Sequence, residues 1–456
     1  MTSIVKNLYT SRHNTYSVQR VLVAPWGLPK AWRRVLYKFN GLEKESKSSL
    51  VPLIEKLKPD KIIVTVLDTS VQEKFNNYEH LCENVKKYYK EFCKNELDYE
   101  MNEESIIVAP GVGTFKVKGQ KVRFEGQATD FYYFLIFELA KRLVNVVEQD
   151  GLTVYLDLTH GMNFMSTLMY RALYDILGAM AYAHKNITLN VYNAEPYTGD
   201  VDKLCIHQIE FRRILPRLSS RILGEYDGKA WLLKGYSSEG GETMRFKKEE
   251  TAELNAFLSA IVNGFPLALY TFFPQKEEVR KRLEDAYECW RRHIECRDEN
   301  GEIHVRRGLR FEEDFMRCVR LWVAAETFGI GRKEEVYLDE LQKQSERLFW
   351  REGAKRGLIS RTLEEIKERA ENVGEEWESL REVFSRSGKR VGNFSPSNFL
   401  AHAGLEYNVT EIRTEQDRLK LRYSQGMRND VVKACCSALL RLGSETRGSD
   451  NKYPTI

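Results

Sequence analysis

Short apolar runs alternate with longer amphipathic stretches through the first half of the chain. Residues 21–24, 62–67, 106–109, 154–158 and 187–192 are dominated by Val, Ile and Leu, the composition of strands buried on both faces. Between them, residues 48–57, 71–93, 131–147 and 164–181 carry helical patterns. Strands separated by helices of this length predict βαβ units and a parallel, doubly wound sheet, an α/β Rossmann-like domain. From about residue 246 the strand signal nearly vanishes. Helical patterns over 249–265, 276–296, 311–328, 333–349, 361–384 and 431–442 predict an all-α second half. The expected organisation is an extension over 1–17, the Rossmann-like domain over 18–212, a linker or hairpin over 213–245, and a helical region over 246–456. The hairpin tip falls at residues 237–241, Ser-Ser-Glu-Gly-Gly.

In sheets of this kind, ligands bind beyond the carboxyl ends of the strands, where the strand order reverses. The five predicted ends are Pro25-Trp26-Gly27, Asp68-Thr69-Ser70, Pro110-Gly111-Val112-Gly113, Thr159-His160-Gly161 and Asn193-Ala194-Glu195. Each carries glycine or a small hydrogen-bonding group. The segment 152–163, LTVYLDLTHGMN, is the most informative: a strand breaks at a hydroxyl, an imidazole and a glycine and restarts as a strongly apolar helix. Free N–H groups and the positive end of a helix dipole meet at such a corner, so a phosphate-bearing ligand suits it. Thr159, His160, Gly161 and Asn163 would then hold phosphate and ribose. Trp26 either stacks on a base or packs in the core. Gly111 and Gly113 lack the third glycine of the dinucleotide fingerprint, and no Walker A sequence occurs. A standard NAD or ATP site is therefore not indicated.

The composition is that of an ordinary globular chain of two or three domains, with 42% hydrophobic and 30% charged residues over 456 positions. A net charge of +4 permits a nucleic-acid partner without arguing for one. The local basic clusters are Arg306-Arg307-Gly308-Leu309-Arg310, and Arg386 with Lys389-Arg390. Eight scattered cysteines without paired spacing give no disulfide framework. Residues 1–20 have no apolar core of a secretory signal. Both point to a cytoplasmic protein. Residues 255–274 are free of charge for twenty positions, but Pro266 interrupts them, so a broken core helix is expected rather than a membrane span.

Two further segments carry candidate chemistry. In residues 392–404, GNFSPSNFLAHAG, Ser395 suits an N-cap, Pro396 the first helical position and Gly404 the residue past the end. Asn398 and His402 stand four apart and share a face of that short helix. The histidine is either structural or an acid–base group at a phosphate. In the second segment, Cys289, His293 and Cys296 share a helical face, with Cys318 as a possible fourth ligand. Buried small hydrophobes explain them better than a zinc site, and adjacent Cys435-Cys436 reads as core filling.

The segments VLVAPWG, VLDTS, APGVG, LDLTHGMN and YNAEPY, followed by a helical half that ends in NFLAHAGLEYN, resemble the CRISPR-associated CARF–HEPN ribonucleases of type III systems. The resemblance implies a Rossmann-like CARF sensor domain, a connecting helical or winged-helix part and a HEPN domain, assembled as a homodimer. It implies that a cyclic oligoadenylate, expected to be cyclic tetra-adenylate, binds the CARF cleft and activates the HEPN dimer. The dimer then cuts single-stranded RNA in antiviral defence, without metal or other cofactor. Trp26, Gly27, Asp68, Thr69, Gly111, Gly113, Thr159, His160, Gly161 and Asn163 are the expected ligand-facing positions. The catalytic set is His402, Asn398 and position 397, where the family pattern has arginine and this chain has Ser397. Loss of that cation predicts reduced activity, unless Arg390, Arg386 or Arg428 reaches the phosphate. Two alternatives remain: a messenger sensor without nuclease activity that acts by DNA or protein binding, with Arg306–Arg310 as its contact, or a ring nuclease that degrades the messenger.

Overall fold

β1 (Gln19–Trp26) runs into a hairpin of β2 (Val35–Phe39) and β3 (Leu42–Ser46), and α1 (Leu50–Leu57) returns the chain to β4 (Lys61–Leu67). α2 (Tyr78–Leu97) leads to β5 (Ile106–Ala109), and a second hairpin follows, β6 (Gly113–Val117) with β7 (Gln120–Glu125). Next come α3 (Asp130–Val144), β8 (Leu152–Asp157), α4 (Phe164–Met180), β9 (Ile187–Ala194) and β10 (Lys203–Arg213). The computed structural model describes residues 18–146, 151–199, 201–236 and 243–450, with side chains as far as residue 442. The predicted extension over 1–17 and the hairpin tip at 237–241 lie outside the described residues.

An eight-stranded sheet has the order β3-β2-β10-β9-β8-β1-β4-β5. β1 pairs in parallel with both β4 and β8, β4 with β5, and β8 with β9. The chain moves outward from β1 to β5, then crosses back to β8 on the other side. The order therefore reverses between β1 and β8, and the crevice expected of a doubly wound sheet lies over their carboxyl ends. Val21, Leu22, Val23, Val64, Val154 and Leu156 are completely buried beneath helices whose Phe131, Leu135, Met169 and Leu173 are buried too. Each such side chain stabilises the fold by about 1.5–3 kcal/mol.

The five predicted strands are all present. α2 starts later than its apolar pattern indicated, because a short 3₁₀ turn at Asp68–Ser70 precedes it and the Asn77 side chain caps it by accepting the His80 N–H. The sheet also holds β2, β3 and β10. Charged and polar residues interrupt all three, so they lack the continuous apolar signature of the central strands.

The second half contains β11 (Trp231–Gly235), β12 (Met244–Arg245), α5 (Lys248–Asn263), α6 (Pro266–Thr271), α7 (Lys276–Arg292), β13 (Ile294–Glu299), β14 (Glu302–Arg307), β15 (Leu309–Phe311) and α8 (Glu313–Thr327). It continues through β16 (Glu335–Tyr337), α9 (Leu338–Leu348), α10 (Gly353–Arg369), β17 (Glu378–Ser379), α11 (Leu380–Arg386), α12 (Pro396–Ala401), β18 (Thr410–Glu415), β19 (Arg418–Tyr423) and α13 (Arg428–Asp450). It is mainly helical, as expected, but it is not free of strands. β13 and β14 form a hairpin closed by Asn300 and Gly301, both with positive φ, the geometry that selects Asn-Gly in two-residue turns. β14 then adds in parallel to β7, giving a sheet β13-β14-β7-β6 that ties the second half to the first. A further sheet, β16-β19-β18-β17, lies beside α9 and α11. The charge-free run is α5 and α6, broken at Gly264 (φ 79°) with Pro266 opening α6. No helix among the described residues is long and apolar enough to cross a membrane.

Candidate functional sites

The first site lies at the switch point. β8 ends in Asp157, which is completely buried apart from 1% and accepts from the hydroxyls of Ser49 and Thr159, each at 2.6 Å. Burial pushes its carboxyl above the ordinary range, and those hydroxyls pull it back. Thr159 Oγ1 in turn accepts the Ala194 N–H at 3.0 Å, so the ends of β8 and β9 are locked together. The Gly27 N–H donates to the His160 carbonyl at 2.8 Å, which joins the end of β1 to the same corner. His160 Nε2 accepts the Ser49 N–H at 3.3 Å, and its ring stacks on Trp32 with centroids 3.8 Å apart. Removal from water lowers the imidazole pKa to about 3, so the ring is neutral at physiological pH.

A cleft of about 490 Å³ opens here, lined among others by Trp32, Arg33, Lys47, Thr159, His160 and Glu195. It offers an aromatic face, two cations and several polar groups, a combination suited to a nucleotide. Trp26 does not stack on a ligand: its ring is fully buried and meets Trp32 edge-on at 5.3 Å. Trp32, six residues on and half-buried, takes the exposed aromatic role. The sequence signal for it was weak, because Trp32 lies in a loop beyond the strand end. Gly27 and Gly161 are closely packed beside it. A Cβ on Gly27 would lie 2.4 Å from Met162 Cγ, and one on Gly161 2.2 Å from Ser166 Oγ. Asn163 is exposed and opens α4 with φ 50°.

Asp68, Thr69 and Gly111 are buried away from this cleft. Asp68 is fully buried and meets Arg307 at 2.8 Å, with both side chains at 0% exposure. It also accepts the Gly111 N–H at 2.7 Å and the Tyr78 hydroxyl at 3.1 Å. Arg307 donates as well to the carbonyls of Gly111 and Glu125. Burial raises the Asp68 carboxyl, and the guanidinium opposes that rise. These strand ends therefore hold β14 of the second half rather than lining the cleft. Gly113 opens β6 with φ 131°.

The second site is built around α12. The Ser395 hydroxyl accepts the Asn398 N–H at 3.1 Å, and Pro396 takes the first turn, as the sequence indicated. Phe399 is buried against Phe265, which fixes the helix on its apolar side. Ser397 and Asn398 are exposed. His402, half-buried, has Nδ1 3.3 Å from the Tyr407 hydroxyl, and that hydroxyl lies 2.9 Å from Lys389 Nζ and 3.4 Å from Glu365 Oε2. Lys389 is paired with Glu365 at 2.6 Å. Desolvation, and secondarily the Lys389 charge, hold the His402 imidazole below its ordinary value of 6.5. Glu365, Lys389 and Tyr407 come from three separate segments, so no local pattern in the sequence grouped them around His402.

Two of the three arginines that could replace a cation at position 397 are paired with carboxylates. Arg386 pairs with Glu378, and Arg428 with Glu334 and Glu253. Arg390 is exposed. Ser397 itself accepts a hydrogen bond from Arg441 Nη2 on α13, at 3.0 Å.

The remaining motifs are structural. His293 Nδ1 lies 2.8 Å from the Cys289 carbonyl, Cys296 belongs to β13, and no group of three or more metal-ligating side chains occurs among the described residues. In the basic run, Arg306 pairs with Glu125 and Glu299, Arg307 with Asp68, and Arg310 with Glu312. Carboxylates on the protein itself thus engage the three arginines proposed for DNA.

Comparison with known proteins agrees with this arrangement. Residues 21–196 match the family described as CRISPR system endoribonuclease Csx1, CARF domain, and residues 352–425 match its HEPN domain. The chain is 34% identical over 423 residues to a CRISPR system endoribonuclease Csx1 of Methanocaldococcus jannaschii, covering 87% of each chain. The first site falls within the CARF match and His402 within the HEPN match, and the chain belongs to the Csx1 family of CRISPR-associated CARF–HEPN endoribonucleases.

Proposed function

We propose that this endoribonuclease is gated by a cyclic oligoadenylate, with cyclic tetra-adenylate as the first candidate, bound in the cleft beyond the ends of β8 and β9. The bound messenger switches on metal-independent cleavage of single-stranded RNA at His402, in a homodimer of the cytoplasm. The observation that carries the catalytic part is the hydrogen-bond chain behind His402. Tyr407 donates to Glu365 and receives the Lys389 N–H, so its oxygen is left to accept from His402 Nδ1–H. That tautomer leaves Nε2 without a proton, and the lowered pKa keeps it so near neutral pH. His402 then takes the proton from a 2′-hydroxyl as its oxygen bonds to phosphorus. The P–O5′ bond breaks and the departing oxygen gains a proton, leaving a 2′,3′-cyclic phosphate and a 5′-hydroxyl.

The binding part rests on the cleft itself, where Trp32 offers a stacking face and Arg33 and Lys47 offer charge for phosphates. By linkage, RNA held productively tightens messenger binding by the same factor as the messenger tightens RNA. The test is cleavage of a labelled single-stranded RNA by the full chain in EDTA, with and without cyclic tetra-adenylate. Messenger-dependent cleavage that His402→Ala abolishes is expected. Equal cleavage with and without messenger, or full activity of His402→Ala, rejects the reading.

A further inference from the structure

β2 leaves the side of β10 early. Their parallel pairing covers only Lys203, Leu204 and Cys205, because β2 ends at Phe39 and the chain reverses at Asn40-Gly41 into β3. From Ile206 to Arg213, β10 pairs with β9 alone, and no strand among the described residues lies on its other side. The Ile214 N–H donates to the Ile187 carbonyl at the start of β9, at 2.9 Å. Backbone groups alternate along a strand, so Glu210 and Arg212 also face β9, while Phe211 and Arg213 turn their N–H and C=O outward. Such an open row is a template for another strand. Its apolar side chains are open too, with Ile209 56% and Phe211 66% exposed. Edges are commonly guarded by charge. Here the charges alternate in sign: Glu210 Oε1 lies 2.6 Å from Arg212 Nε, one residue to either side of Phe211.

We propose that this edge receives β10 of a second copy of the chain, paired antiparallel about a twofold axis at Phe211. A twofold interface needs a surface complementary to itself. With residue 211 opposite its own copy, the outward backbone groups of the two Phe211 residues exchange both hydrogen bonds, at a Cα separation of about 5.5 Å. Glu210 of each copy then stands opposite Arg212 of the other, so the ion pair within one strand becomes a ring of alternating charge. The two Phe211 rings meet on the reverse face, a cross-strand aromatic pair. Slipping the register by two residues sets Arg212 against Arg212, or Glu210 against Glu210, so charge selects the register. The eight-stranded sheets of the two copies join along this edge, as in strand addition generally. The pairing gives the homodimer of the reading above a defined contact and rests on that reading for the homodimer alone. It needs neither a filled cleft nor His402.

The test combines oxidative cross-linking with mass by light scattering over a concentration series, both on the full chain. Phe211→Cys should give a disulfide-linked pair in which the bridged peptide joins position 211 to itself, because Cα separations of about 4.4–6.8 Å suit a disulfide. The parent controls for the native thiols, and Tyr226→Cys, at a position 98% exposed, controls for chance collision. Glu210→Arg and Arg212→Glu should each weaken self-association by about 10-fold or more, since two opposite-charge pairs become like-charge pairs. The double variant Glu210→Arg, Arg212→Glu should restore it, which a loss of fold would not allow. A 211–211 bridge no more abundant than the bridge at 226 overturns the proposal, whatever the fate of the charge variants. So does a parent that is monomeric throughout the series, or one whose mass profile both single reversals leave unchanged. Messenger-dependent cleavage by the parent, read against His402→Ala, is measured separately: its failure rejects the functional reading, while the 211–211 bridge still decides the interface.

Discussion

Arg307→Leu should expose how strongly the second half of the chain is fastened to the N-terminal eight-stranded sheet. The wild-type pair of Asp68 and Arg307 sits at 2.8 Å with neither side chain exposed. Removing the cation leaves a buried carboxylate whose remaining partners are the Gly111 N–H and the Tyr78 hydroxyl. Breaking such a pair costs about 3–5 kcal/mol. Protonation sets a ceiling on the charge part. Holding a proton on a carboxyl whose ordinary pKa is 3.8 costs about 4 kcal/mol at pH 7 and about 2 kcal/mol at pH 5.5. The sign follows from proton counting: the folded variant binds a proton on Asp68 that the unfolded chain releases above its ordinary pKa. The deficit relative to wild type therefore grows with pH.

Urea unfolding of both proteins at pH 5.5 and 7 measures this, with the double variant Asp68→Asn, Arg307→Leu as the control expected to recover most of the loss. A deficit below about 1 kcal/mol, within the range of exposed pairs, would refute the reasoning. So would a deficit that does not change between the two pH values.

Other outcomes follow from the two sites. The acidic limb of the cleavage profile should fall below the ordinary imidazole pKa of 6.5, because His402 must be neutral to accept a proton. Lys389→Gln removes a repelling charge, so that limb should move upward in pH; a profile that stays in place rejects the role of Lys389. Trp32→Ala removes the ring stacked at 3.8 Å on His160. If it is a base platform, messenger affinity measured by calorimetry should fall by about 1–3 kcal/mol, whereas Trp26→Phe, in the core, should change melting temperature more than affinity.

Much of this protein was written in local patterns. β1, β4, β5, β8 and β9 are buried on both faces, so their apolar runs alone announced a parallel sheet, and alternation with helices fixed its winding. The end of β8 and the Ser395-capped helix likewise declared themselves, because a cap and a strand break depend on neighbours along the chain. Asn40-Gly41 and Asn300-Gly301 are local turn signals for the hairpins β2–β3 and β13–β14, whose polar-interrupted strands give little apolar pattern of their own.

What tertiary structure alone decided is which polar groups meet. Asp68 and Arg307 lie 239 positions apart, Ser397 and Arg441 44 apart, and His402 finds Glu365 and Lys389 only through Tyr407. That Trp26 is enclosed, with Tyr89, Phe92 and Trp32 around it, while Trp32 reaches the cleft was decided by packing across segments. Periodicity reports the burial of a face, which is a property of a segment. The pairing of charges across segments is set by how those faces pack, and no stretch of the chain carries that information by itself.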